Sequence, residues 1–150
     1  MSKRMRRLTA GSLLVLYLSA CATSSQVLVQ PSTNAAVRSY HSAYLVIHGG
    51  SSSDMDANIE RALLKSGFSV TTGSASEPPA SAQLVVRYVD DWKWDMAMYL
   101  RSFDLMIYDG RSNVLLADGS WRNSVLHGFY SADKVVDQVV GNTVKKLDRN

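Results

Sequence analysis

The sequence predicts an α+β fold, a two-layer sandwich of a mostly antiparallel sheet with two helices on one face. Three observations lead there. A short apolar run, a helix-period segment and a second short run open the globular part, between residues 44 and 72. Long period-2 segments without helical spacing follow, from Gln83 to Val125. A second helix-period segment closes the chain. Strands in succession with helices segregated to the flanks pack as two layers, because each apolar stripe must be buried against a sheet face.

Taken in order, Tyr44 to Ile47 is a run of β-formers ended by Gly49-Gly50, which fits a buried strand. The segment "SSSDMDANIERALLKSGF" reads as a helix. Ser53 is its expected cap, Asp56 completes a capping box, and Asp54 suits the positive end of the dipole. Met55, Ile59, Ala62 and Leu63 form one apolar stripe, and Gly67 is the stop. "FSVTT" is the next strand, and "GSASEPPASA" a mobile loop. Gln83 to Trp94 alternates, with Leu84, Val86 and Tyr88 opposed to Val85, Arg87 and Val89. Met98 to Tyr108 alternates again, with Leu100 and Met106 opposed to Phe103, Leu105 and Ile107. "DGRSN" at 109–113 is a turn. Val114 to Val125 is either one strand bulged at Asp118-Gly119 or two strands joined by a tight Asp-Gly hairpin. The last helix starts at Ser131 as cap and buries Val135, Val136, Val139, Val140, Val144 and Leu147, with Lys145 and Lys146 in its final turn.

The chain has 150 residues, room for one domain, with 46% hydrophobic and 19% charged residues. Its net charge of +3 suggests an acidic partner until position is considered. Lys3, Arg4, Arg6 and Arg7 lie in the first seven residues, and every acidic residue lies beyond position 20. The remainder is close to neutral. The Asp-rich stretch around Asp90 would also repel a phosphate backbone, so no nucleic-acid partner is expected.

Those four basic residues precede the apolar run "LTAGSLLVLYL" (8–18), which leads through Ser19-Ala20 to Cys21. The tripartite layout is that of a secretory signal, and the run is too short to span a bilayer. Cys21 is the only cysteine, which excludes an internal disulfide and a multi-thiolate zinc or redox site. Leu18-Ser19-Ala20-Cys21 resembles the lipobox of bacterial lipoproteins at all four positions. The resemblance implies a diacylglycerol thioether on Cys21, cleavage before it and acylation of the new amine by a palmitate-class chain. It also implies, from Ala22-Thr23 in place of an Asp after the Cys, sorting to the periplasmic face of the outer membrane. The expected organisation is a signal peptide at 1–20, a lipidated Cys and tether at 21–42, and a periplasmic domain at 43–150. Within the tether, "VLVQ" (27–30) is a potential edge strand stopped by Pro31. The globular part resembles the Sbal-type lipoproteins, bacterial envelope lipoproteins of unknown function, through "LVVRYVDDWKWDMAMYLRSFDLMIYD" (84–109) and "LLADGSWRNS" (115–124). That likeness implies a location and a fold rather than an activity.

Catalytic patterns are incomplete. "LVIHGG" before serines looks like an oxyanion-hole segment, but no G-x-S-x-G elbow accompanies it. Ser131 to Lys134 fits S-x-x-K and Lys65 to Gly67 fits K-[ST]-G, in the reverse of the order those enzymes use. His41, His48 and His127 have no metal-ligand spacing. No enzymatic activity, metal or cofactor is expected. The densest polar-aromatic stretch holds Tyr88, Asp90, Trp92 and Trp94 at one-face spacing. If the helices cover the opposite face, this ladder is a candidate partner-binding surface for protein, cell-wall glycan or a small solute. If not, the tryptophans close the core at the sheet edge. The expectation is a membrane-anchored, non-enzymatic envelope protein acting through protein contacts, with a glycan- or solute-binding module as the alternative.

Overall fold

The computed structural model describes residues 23–29, 40–48, 53–74, 78–126 and 128–148. The signal segment, Cys21, most of the expected tether, the Gly-Gly-Ser-Ser turn at 49–52, part of the 73–82 loop and His127 lie outside them. The elements are β1 (Ser24–Val29), β2 (Ser42–Val46), α1 (Ser53–Lys65), β3 (Ser69–Gly73), β4 (Leu84–Asp95), β5 (Ala97–Asp109), β6 (Leu115–Arg122) and α2 (Ala132–Leu147). They form an α+β domain with one six-stranded sheet, in the order β1-β6-β5-β4-β2-β3. The β1–β6, β6–β5 and β5–β4 pairs are antiparallel, while β2 pairs in parallel with both β4 and β3.

The start of the sheet differs from expectation in one respect. Residues 24–29 are not tether. They pair along β6 from Ser24↔Arg122 to Val29↔Ala117, and Lys146 Nζ on α2 donates to Val27 O at 2.8 Å. The domain therefore begins about twenty residues before the boundary read from composition. The edge strand offered by "VLVQ" is present, starting three residues earlier and ending at Val29. The small polar residues at its start look like a linker, because only one side of an edge strand is paired.

Local chemistry explains the ends of α1. Its stripe of Met55, Ile59, Ala62 and Leu63 is buried as the spacing predicts. Gly67 has φ 92°, a left-handed conformation natural to glycine. Phe68 N donates to Leu63 O and Gly67 N to Leu64 O, the paired bonds of a Schellman stop, and Phe68 joins Leu63 in the core. Asp56, expected to complete a capping box, instead accepts the Tyr88 hydroxyl on Oδ1 at 2.5 Å. At α2, Ser131 holds the N-cap position, but its hydroxyl goes to the Asp133 carboxylate instead of a backbone N–H.

Two bulges alter the expected alternation. Ser102 opposes Asp91 and Leu100 opposes Trp92, so Arg101 is an extra residue on β5. Leu100 consequently shares the buried face with Phe103 instead of opposing it, and both are fully buried. On β6 the extra residue is Leu116, between Ala117↔Ile107 and Leu115↔Tyr108. Asp118-Gly119 makes neither bulge nor hairpin, and β6 runs straight through it. Glycine is required there for another reason. A Cβ on Gly119 would run into the Thr143 hydroxyl and lie 2.9 Å from Val139 Cγ1, so α2 rests directly on the strand.

Both helices cover one face of the sheet. Ala43, Leu45, Leu84, Val86, Tyr88, Phe103, Leu105, Ile107 and Trp121 meet the stripes of α1 and α2 in a single cluster. The opposite face carries a smaller cluster of Tyr44, Val46, Ala82 and Val85 with Tyr108 against it. Arg87 lies on that face with its guanidinium 5.7 Å from the Tyr108 ring. The helices are parallel to one another, since each follows a strand of the same direction, and Lys65 on α1 is paired with Asp137 on α2 at 2.6 Å.

Candidate functional site

β4 and β5 are longer than the layer of helices above them, and this mismatch creates the site. Along β4 the helix-facing positions pass from buried Tyr88 through half-buried Asp90 and Trp92 to exposed Trp94. The proposed ladder is thus on the helix side, and its members separate. Tyr88 is 1% exposed, edge-on to His48 at 5.3 Å and tilted against Phe103 at 6.3 Å. It is a core residue, because α1 lies over it. Trp92 packs on the core margin, and its Nε1 donates to Asp90 Oδ2 at 2.7 Å. Trp94 is 73% exposed beyond the reach of either helix.

Trp92 also walls a groove of about 760 Å³. Met98, Met55, Ala57 and Ala132 supply its remaining apolar surface, and Asp54, Asn58, Arg61 and Asp133 its polar edge. Asp54, Asn58 and Arg61 follow at helical spacing along one side of α1, and Arg61 Nη1 donates to Asn58 Oδ1 at 2.9 Å. Asp133 begins α2. The Ser131 hydroxyl, followed by the Lys134 backbone N–H and the Lys134 charge, holds the Asp133 carboxyl below the usual carboxylate range. The negative charge is therefore kept at the helix N-terminus, where the dipole favours it. That stabilisation is in place above the ordinary carboxylate range and is lost as pH falls through the depressed value.

Chemically the groove offers an indole wall, two carboxylates, one amide and one guanidinium. Histidine, cysteine and lysine do not occur among its described lining residues. The Ser131 hydroxyl is engaged by Asp133, so the S-x-x-K spacing does not bring Ser131 into a bond with Lys134 here. Among the described residues no group of three His, Cys, Asp or Glu side chains is arranged to hold a metal ion. The sequence pointed to Trp92 through its aromatic density. It gave no sign of the α1 edge, because Asp54, Asn58 and Arg61 have the spacing of any solvated helix face.

Several of the exposed apolar residues lie at the same end of the sheet, while Leu28, Leu64, Val89 and Val114 are scattered singly elsewhere. Trp94 and Met98 are cross-strand partners below the hairpin apex, Met96. Past β6, Asn123 organises a loop. Its Nδ2 donates to Leu100 O and Gly128 O, and its Oδ1 accepts from Ser124 N and Gly128 N. Val125 and Leu126 form the outward turn of that loop, 89% and 71% exposed.

A two-layer α+β domain with a groove at one end of the sheet is the class these features define. The chain matches no family model and no curated protein. Among solved structures it is similar to the PelC dodecamer from Paraburkholderia phytofirmans, with a TM-score of 0.58 and 10% identity over 85% of this chain and 98% of that one. A point variant of the same PelC dodecamer in a second crystal form gives a TM-score of 0.56 and 11% identity over the same shares. At such identities the likeness is one of fold.

Proposed function

We propose that this chain is a lipid-anchored lipoprotein of the bacterial outer membrane, non-enzymatic, with a structural or assembly role carried by protein contacts. The observation that carries the reading is the lipobox Leu18-Ser19-Ala20-Cys21 at the end of a short signal-like segment. It sits three residues ahead of the first strand of a folded domain. A similar fold is found in PelC, which forms a dodecamer, and this supports assembly with further copies or with other envelope proteins. Replacement of Cys21 by Ala is expected to move the protein from the membrane to the soluble fraction. Unchanged fractionation would refute the anchor. Light scattering on the purified native protein tests assembly, where a strict monomer at every concentration argues against self-association.

The groove favours a second reading, a periplasmic module that binds cell-wall glycan or a small solute. An indole wall beside carboxylates and an amide suits a sugar face and its hydroxyls. Titration of Trp emission with glycan fragments, in the native chain and in Trp92→Phe, separates this reading from the first. A response that survives in Trp92→Phe would exclude the groove as its source.

A further inference from the structure

We infer that the hairpin apex of β4–β5 and the Val125-Leu126 turn insert into the headgroup region of the bilayer, so that the domain stands end-on against the membrane. This inference rests on the acyl-anchor reading and adds to it an orientation and a lipid-contacting surface.

The first argument is topological. Ser24, Arg122, Ser102 and Asp91 form one row across the sheet, through the pairs Ser24↔Arg122, Ser102↔Arg122 and Asp91↔Ser102. The chain continues past this row toward one end of the domain in four places: backward from Ser24 to Thr23, along β4 to Trp94, from the apex into β5, and after Arg122 into the loop that starts at Asn123. Cys21 is three residues from Ser24, a span of at most about 10 Å. Trp94 is also three residues beyond its row member, Asp91. An acyl chain on Cys21 would hold the Ser24 end of the sheet, and not the other, within about 10 Å of the lipid.

The second argument is composition against local rules. Trp94, Met96, Met98, Val125, Leu126 and Phe129 are 73%, 89%, 57%, 89%, 71% and 60% exposed. Six large apolar side chains on adjoining apices exceed the scattered exposure usual on a soluble domain. Met96 is the sharpest case. It has φ 59°, where Asn or Gly is preferred, and its side chain is almost wholly in solvent. Neither the turn nor the fold asks for methionine there, and residues that break a local rule mark functional positions. Asn123 ties Ser124 and Gly128 to itself and itself to β5 with four hydrogen bonds.

The third argument is electrostatic. The basic residues around this end are already paired: Lys93 and Arg101 with Asp91, and Arg122 with Asp104. Attraction to anionic lipid is therefore weak, and the contact is apolar and interfacial, the setting in which tryptophan is favoured at membrane boundaries.

The test uses the native lipidated chain in phosphatidylcholine vesicles whose acyl chains carry bromine, a short-range quencher of indole emission. Trp121 is 3% exposed within the core, and Trp92 is half-buried beside the groove, so the quenching is read in a Trp92→Phe background, where Trp94 is the residue that lipid can reach. The expected result is loss of most Trp94 emission relative to unbrominated vesicles, unaffected by salt and absent in Trp94→Phe. Met96→Asn relieves the apex and should fold at least as well as the native chain, yet lower the quenching. A vesicle-bound, acylated chain that is not quenched overturns the inference and leaves the anchor standing. An unacylated Cys21 by mass, with quenching on lipid addition, overturns the anchor and supports the insertion. Crosslinking through residue 94 to a second copy in vesicles, without quenching, assigns the surface to self-association and overturns the inference.

Discussion

Tyr88 shows how one side chain decides between two accounts of a face. Its ring is core, but its hydroxyl reaches Asp56 on α1, so sheet and helix are joined by one hydrogen bond between oppositely layered elements. Tyr88→Phe keeps the packing and removes the bond to a carboxylate, and should cost about 1.5 kcal/mol in urea unfolding. A smaller loss would mean that water replaces the bond at little cost. Gly119 is the opposite case, a position where nothing may be added. With Thr143 and Val139 against its Cα, Gly119→Ala must lift α2 or force Thr143 from its bond to Val139 O. The expected loss is about 2 kcal/mol, the scale of core overpacking. The sequence marked both residues but misread both. Tyr88 has the period of an open ladder because alternation is identical on either face of a strand. Gly119 follows Asp118, and that dipeptide is a turn signal unless a helix happens to lie on top of it.

Elements owe their ends to short chemical devices, and some of these are written in residue types. Gly67 is legible as the stop of α1, and its φ of 92° confirms why. Nothing lies within 4 Å of a Cβ at Gly67, so the cost of Gly67→Ala is backbone strain alone, about 1 kcal/mol. Stop and strand stay in place, and the check is a lower thermal midpoint with unchanged circular dichroism. Asp109 is equally legible: one carboxylate oxygen accepts from Arg111 N, Ser112 N and Ser112 Oγ to close the β5–β6 turn. The Arg101 bulge is not legible, because no Gly, Pro or Asn announces it and its consequence is felt one residue away, at Leu100. What the bulge needs is found 22 residues on. Asn123 N donates to Arg101 O and Asn123 Nδ2 to Leu100 O, satisfying carbonyls that the broken ladder leaves open. Asn123→Asp keeps the acceptor and removes the two side-chain donors. It should raise amide hydrogen exchange across 97–102 and 123–128 together, while α1 exchanges as before. Exchange confined to the 123–128 loop would show that the bulge holds without it.

At the scale of the whole molecule, the layers and the two helices were readable from periodicity, because burial imposes period 2 and period 3.6 wherever an element meets the core, but which face of the sheet the helices cover was not. Nor was the domain boundary. "VLVQ" offered an edge strand, but Ser24, Ser25 and Gln26 face solvent and contribute mainly backbone bonds, which leave no trace in hydropathy. The energetic weight of β1 can be measured by comparing chains that begin at residue 22 and at residue 40, which leaves Tyr40 and all of β2 in place. Without β1, the eight residues of β6 become an edge with unpaired backbone groups, and Lys146 loses its carbonyl partner. Net backbone bonds of about 1 kcal/mol each suggest a loss of several kcal/mol, a large part of the ~5–15 kcal/mol that holds a domain of this size. The shorter chain should unfold at a markedly lower denaturant concentration and scatter light on standing, as the exposed β6 edge pairs between molecules. Equal midpoints would mean that β1 adheres to a sheet already stable without it. In that case residues 24–29 would be free to peel away, and the short span from Cys21 would no longer fix which end of the domain faces the lipid.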